Sequence, residues 1–319
     1  MPIEALPELD AQYRVLREET GLIDRSARGK LKLSGAEAAE FLQGQLTNEI
    51  EALEPEQGAY AALLNRKGHL RADMRVLRLS PEEIWLDTEP EALEDLRSHL
   101  ERYKIGRQVK VADVTRDWAI ASLIGPASYE TAGTGPLTPE HAHRHYRRDG
   151  IEILAVATDL GVDLIIRADH AAAVRELLTG SGASPVSEEA AEIVRVESGR
   201  PRFGHEMSSS TMPAEAGITQ RAVSFTKGCY IGQEPVARLH YKGKPNRHLR
   251  GLRLSGPVTA GTPLVLGEKV VGEIGTACVS PARGPIALAV VRREAEPGDT
   301  VAAGEDGVTG TLVDDLPFG

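Results

Sequence analysis

Lys227-Gly228-Cys229-Tyr230-Ile231-Gly232-Gln233-Glu234, followed by Pro235-Val236-Ala237-Arg238, separates two regions of different character in a chain of 319 residues. Pro235 suits the first turn of a helix, where its missing N–H costs nothing, so Gly232-Gln233 falls at the helix entrance. Cys229 then lies just before a helix N-terminus and beside Lys227, where positive potential favours the thiolate. Glu234 and Arg238 are four apart and can pair on one helix face. The plainer reading of Cys229 is a buried structural thiol in a turn. A hydrolase nucleophile would need His240 or His248 as its base, and no nucleophile signature surrounds it.

Beyond about residue 246 the chain breaks into short β-rich runs (248–254, 263–266, 269–279, 285–292, 299–303 and 308–313) punctuated by Gly and Pro. That pattern predicts a small all-β domain, a barrel. Before the motif, residues 200–229 are irregular and rich in Gly, Pro, Ser and Arg. Loops of this length are usually functional or disordered, and the unusual chemistry here marks this one as functional. Earlier still, spacing predicts helices over 8–20, 36–46, 90–102, 126–132 and 169–179. Another helix begins at Ser187-Glu188-Glu189 and stops at Gly199. Strands are predicted over 29–33, 58–65, 69–79, 84–86, 108–114, 118–124, 151–157 and 162–167. No dinucleotide-type glycine motif accompanies this alternation, so the fold class is α+β. His141, His143 and His145 alternate within the polar stretch 134–150, which reads as a solvated loop rather than a metal site.

Charge adds a locator. The net charge is −10, with 41% hydrophobic and 26% charged residues, values of a globular chain rather than a disordered one. Residues 221–253 hold eight basic side chains against one acid, a local balance of +7 that leaves −17 for the rest. A chain of that charge does not grip nucleic acid or anionic lipid over its whole surface, but the basic island suits a small anionic partner. An RNA-binding module built on 221–253 is a further reading, weakened by an aromatic content of only 4%, since single strands are held by stacking. Two cysteines, Cys229 and Cys278, give neither a disulfide scaffold nor a zinc spacing. The N-terminus MPIEALPELD lacks the parts of a secretory leader, and no run of about 18 apolar residues suggests a membrane span. The expected location is the cytoplasm.

Two further segments carry chemistry. In Arg195-Val196-Glu197-Ser198-Gly199-Arg200-Pro201-Arg202-Phe203-Gly204-His205-Glu206, Glu197 ends a helix, where an acid opposes the macrodipole. It needs a compensating partner: Arg195, Arg200 or Arg202, or a heterocycle whose adjacent N–H groups a carboxylate can grip. In Asn65-Arg66-Lys67-Gly68-His69-Leu70-Arg71-Ala72-Asp73, a hairpin turn explains Asn65 and Gly68, and Asp73 is a candidate site carboxylate.

Taken in order, these segments resemble the folate-binding YgfZ family, relatives of the aminomethyltransferase (T-protein) of the glycine cleavage system. KGCYIGQE followed by an Arg is the YgfZ hallmark. RVESGRPRFGHE and Met212-Pro213-Ala214-Glu215-Ala216-Gly217 are similar to patterns shared by both families, and VVGEIGTACVSP, IALAVV and Pro317-Phe318 look like the last T-protein domain. The resemblance implies a three-domain ring with a central hole for tetrahydrofolate and a C-terminal β-barrel. Its parts would be a folate-binding domain over 1–117 and a ferredoxin-like domain over 118–180. The return segment 181–245 and the barrel over 246–319 would complete it. It implies Cys229 and Asp73 as catalytic residues and Glu197, Lys227, Tyr230, Arg238 and Asn65 as cofactor-binding residues, Glu197 on the pterin, with no metal. The implied function is a tetrahydrofolate-binding accessory protein for assembly, repair or maintenance of iron–sulfur enzymes. The implied partners are polyglutamylated folate and iron–sulfur client or assembly proteins. A two-cysteine chain cannot hold a cluster by the usual four thiolates. The alternative is a folate-dependent one-carbon transferase, an aminomethyltransferase or demethylase. T-proteins are similar to N-x-x-G-G-x-x-D-D where this chain has His69 for the second Gly and Ala72-Asp73 for the acidic pair, which argues against standard glycine cleavage.

Overall fold

The computed structural model describes residues 8–313 and 316–318; the first seven residues of the N-terminal reading lie outside it. The first half of the chain alternates short helices and strands. Helix α1 (Leu9–Glu18) precedes β1 (Gly21–Asp24) and β2 (Gly29–Ser34), and α2 (Ala38–Gln45) precedes β3 (Gly58–Leu64), β4 (Leu70–Ser80) and β5 (Glu83–Thr88). Next come α3 (Pro90–Tyr103), β6 (Lys110–Asp113), β7 (Trp118–Ile124), α4 (Ser128–Ala132), β8 (His143–Arg148), β9 (Ile151–Ala157) and β10 (Gly161–Arg167). After these follow α5 (Ala171–Gly180), β11 (Ser184–Pro185), α6 (Glu188–Glu197), α7 (Thr219–Ala222) and α8 (Gln233–Lys242). The last part is β12 (Arg247–Leu254), β13 (Pro263–Leu266), β14 (Lys269–Ser280), β15 (Gly284–Arg292), β16 (Thr300–Ala303) and β17 (Thr309–Leu312).

The strands form two open sheets, in the orders β3-β4-β5-β2-β6 and β11-β1-β7-β10-β9-β8, and one closed barrel, β12-β15-β14-β13-β16-β17. The chain divides into two compact units. The first comprises 1–63, 71–191 and 222–231; the second comprises 64–70, 192–221 and 232–319. Both open sheets lie in the first unit and the barrel lies in the second.

Within the first unit the sheets meet through Leu77 and Trp85 of one and Ile120, Leu154, Val156 and Ile165 of the other. Leu77 lies opposite Trp85, and Arg75 lies opposite Asp87, in the β4–β5 register. Successive strand residues point to opposite faces, so Asp73, Arg75 and Leu77 share one face of β4, and that face runs from charged to apolar. In the second unit, the end of α6 packs on the barrel through Val196, Ile286, Leu288 and Phe318.

One expectation is corrected. The stretch 134–150 is not a solvated loop throughout: 143–148 form the edge strand β8, paired with β9. His141 and His143 are buried, and both ring nitrogens of His143 meet backbone carbonyls, those of His141 and Arg78. Charged side chains suit an edge strand, which they protect from further pairing, and that disguises it as a loop.

Candidate functional site

Asp73 lies on β4 in the first unit, opened toward β3 by the hairpin. Tyr60 Oη, on β3, donates to Asp73 Oδ2 at 2.6 Å, while Asp73 Oδ1 is buried without a hydrogen-bond partner. Burial pushes the carboxyl above the usual carboxylate range, and Glu89 adds to this against the Tyr60 hydrogen bond and Arg28. Behind it lies a buried set of charges that sequence reading missed. Arg28 holds Asp87 at 2.7 Å and also holds Glu89; Arg75 binds Asp87 and reaches Asp163 at 2.6 Å. Burial alone would raise Asp87, but the two guanidiniums overcome this and hold it at about 2. The one signal available in sequence is that Arg71, Asp73 and Arg75 alternate with Leu70, Ala72, Met74 and Val76, a strand with one charged face.

Lys227 is buried, and its ammonium donates to the carbonyls of Gln43, Leu46 and Asn48, each at 2.7 Å. These lie at and just beyond the end of α2, where carbonyls lack helical partners and a cation is favoured. All three ammonium protons are thereby used. Burial lowers this lysine to about 8 despite the opposing pull of Glu49 and Glu51. The Tyr230 ring lies 5.3 Å from the ammonium and is itself buried, which pushes its phenol up to about 12. Between these two anchors Cys229 is exposed, not buried as the plainer reading had it.

In the second unit the hairpin turn and the helix entrance meet. Asn65 Oδ1 accepts from the backbone N–H groups of Lys67, at 2.8 Å, and His69, so its side chain builds the turn. Gly232 has φ +83°, and a Cβ there would lie 2.5 Å from the Asn65 carbonyl oxygen, so only glycine fits. Helix α8 carries Arg238 on its exposed side. Among the described residues Glu234 and Arg238 form no ion pair, because an exposed pair gains too little to fix two long side chains.

Glu197, the last residue of α6, is 3% exposed, and its Oε1 accepts from Ser280 Oγ at 2.5 Å. Arg195, a candidate partner, is engaged by Glu192 and Glu206 instead. Directly after Glu197, Ser198 and Gly199 border a cavity of about 360 Å³ into which Arg200, Arg221 and Arg250 also face. Arg250 Nε is buried without a hydrogen-bond partner. Cys278 is partly buried, and burial with the nearby Glu197 pushes its thiol up to about 12. Among the described residues no cluster of three or more His, Cys, Asp or Glu is arranged to hold a metal ion. No described helix is long and apolar enough to cross a membrane.

Compared with known proteins, residues 5–227 match the GCVT N-terminal domain. The chain belongs to the GCVT family. Among its relatives, a chloroplastic protein of Arabidopsis thaliana, provisionally named a transferase, is 28% identical, with 93% of this chain and 71% of that protein covered. The aminomethyltransferase of Rubrobacter xylanophilus is also 28% identical, covering 100% of this chain and 88% of its own length. The crystal structure of the glycine cleavage system aminomethyltransferase T from Bartonella henselae has the same fold, with TM-score 0.87 at 23% identity over 97% of this chain and 89% of that one. The α+β T-protein fold expected from sequence is therefore the fold of this GCVT member.

Tetrahydrofolate is the cofactor of this family. The donor set fits it: Arg200, Arg221 and Arg250 line one cavity, and guanidiniums suit the carboxylates of its glutamate tail. A carboxylate at the end of α6 suits its pterin N–H groups.

Proposed function

We propose that this GCVT member is a tetrahydrofolate-dependent one-carbon transferase of aminomethyltransferase type, with Asp73 as its proton-transferring group. The observation that carries this reading is the Asp73 carboxyl, raised by burial and with one oxygen unpartnered. A carboxyl whose proton affinity is raised, with an oxygen left open to a reacting group, is suited to general acid–base catalysis. The family match and the aminomethyltransferases among the relatives support the same class. When bound, tetrahydrofolate would supply the nitrogens that accept a one-carbon unit. Glu197 would grip the pterin. Arg250, with Arg200 and Arg221, would hold the carboxylate tail, and cations at such a site favour a polyglutamylated form. Lys227 and Tyr230 would keep the Cys229 loop in place, and Asn65 would set the turn ahead of Asp73. The division at 117, 180 and 245 and a cytoplasmic location belong to this proposal.

The test is turnover. Purified protein with tetrahydrofolate and a panel of aminomethyl donors, X–CH2–NH2, whose carbon is already at the formaldehyde level, is expected to form methylenetetrahydrofolate with release of ammonia and the carrier, and Asp73→Asn to abolish it. Absence of product across the panel would sink the reading.

A second reading rests on Cys229, whose exposed thiol sits between two buried anchors within the YgfZ-like motif. In it the protein is a tetrahydrofolate-binding accessory to iron–sulfur enzymes, working through that thiol on client or assembly proteins. Cys229→Ser discriminates the two. It should leave one-carbon transfer intact under the first reading, and lower the activity of client 4Fe–4S enzymes under oxidative stress under the second.

A further inference from the structure

In the first unit, Glu89, Arg28, Asp87, Arg75 and Asp163 form a line of alternating charge with a carboxylate at each end. Asp87, Glu89 and Asp163 are buried, as is Arg75. Lys30 lies opposite Asp87 in the β2–β5 register, buried with its ammonium on the carbonyls of Ser26 and Arg28. Three cations thus face three carboxylates. The set is neutral only while Asp73 keeps its proton, and an ionised Asp73 would add a fourth carboxylate in a medium that screens charge poorly.

The place where that fourth charge would fall is specific. Thr88 Oγ1 donates to the Asp73 carbonyl at 2.6 Å, and Glu89 follows Thr88, so the like-charged end of the line lies beside Asp73. On the other side Tyr60 donates to Oδ2. The unprotonated oxygen of a carboxylic acid is the better acceptor, so with Tyr60 donating to Oδ2 the acid's own proton falls to Oδ1.

We propose that Glu89 and Tyr60 are positioning residues for Asp73: Glu89 keeps a proton on the carboxyl, and Tyr60, by donating to Oδ2, assigns that proton to Oδ1. The proposal deepens the reading of Asp73 as the proton-transferring group and rests on it. The groups facing the carboxyl are Tyr60 from β3, Glu89 after β5 and Arg28 ahead of β2. Burial is the largest influence on the carboxyl, followed by Tyr60 against it, Glu89 with it and Arg28 against it.

The two residues act with opposite sign, and that makes the test sharp. In protein carrying ¹³C-labelled aspartate carboxyls, with Asp73→Asn assigning the signal, Asp73 should titrate above the ordinary aspartate midpoint of about 4. Glu89→Gln removes the like charge and should lower the midpoint by about one pH unit, a tenfold loss of proton affinity. Tyr60→Phe removes a hydrogen bond to the ionised form and should raise it. A merely structural role would not move the two variants in opposite directions, and either variant alone decides if the other fails to fold. An unmoved midpoint in either, or a wild-type Asp73 that titrates like an exposed aspartate, overturns the proposal. The titration uses no tetrahydrofolate, so missing turnover would sink the transferase reading while leaving these shifts standing.

Discussion

Inside the barrel the buried positions are Leu252, Leu264, Ile274, Val291, Val301 and Leu312 with their apolar neighbours, and Ser280 is the one buried polar residue described on its strands. Between the two sheets of the first unit, equally buried positions hold Arg75, Asp87 and Asp163 next to Leu77 and Trp85. An apolar core loses stability by degrees when trimmed, because neighbours relax into the space. A charged one loses it abruptly, because removing one member leaves another buried without its counter-charge. The difference is one of position: the charged interior lies behind Asp73, the group proposed to transfer the proton, and the apolar one supports a frame.

The largest expected effect tests that contrast directly. Arg75→Met strips Asp163 of its partner and half of Asp87's, and should cost about 3–5 kcal/mol in denaturant unfolding; a loss under about 1 kcal/mol would erase the distinction. In the barrel, Leu252→Ala should cost about 3 kcal/mol, read from the same midpoints.

The buried Lys227 ammonium gives a pH-dependent counterpart. Its folded value of about 8 lies below the 10.5 of an ordinary lysine, so the unfolded chain binds the extra proton between those limits. Stability should therefore rise with pH from about 8 to 10.5, by at most about 1.4 kcal/mol per pH unit, with the gain absent in Lys227→Met. Gly232→Ala should cost about 1 kcal/mol or more, from its positive φ and the close Asn65 carbonyl. Arg238→Ala, on an exposed face without an ion pair, should stay within about 0.5 kcal/mol, and a larger loss would show that the α8 surface bears load.

The barrel was legible because Gly and Pro mark its turns and its strands alternate, and the Asn65–Gly68 turn was legible for the same reason. Strand β8 was hidden by its charged edge, and β1 and β11, at four and two residues, are too short to show a period. At the site, the need of Glu197 for a partner could be read from its place at a helix end, but Ser280 lies 83 positions away. The charged line behind Asp73 joins residues 59, 12 and 88 positions apart, distances at which local pattern carries no information. Lys227 misled by proximity. Two residues from Cys229 it suggested an activated thiol, yet its ammonium spans 179 to 184 positions to close the end of α2.

The chain passes between its two units at residues 63/64, 70/71, 191/192, 221/222 and 231/232. Neither unit can therefore be cloned as one continuous segment. A gene truncated after 191 would lose the ten residues, 222–231, that seal α2 through Lys227, and one begun there would lack the Asn65 hairpin tip. Such a fold is inherited whole. Its barrel-bearing unit cannot pass to another protein as one uninterrupted segment.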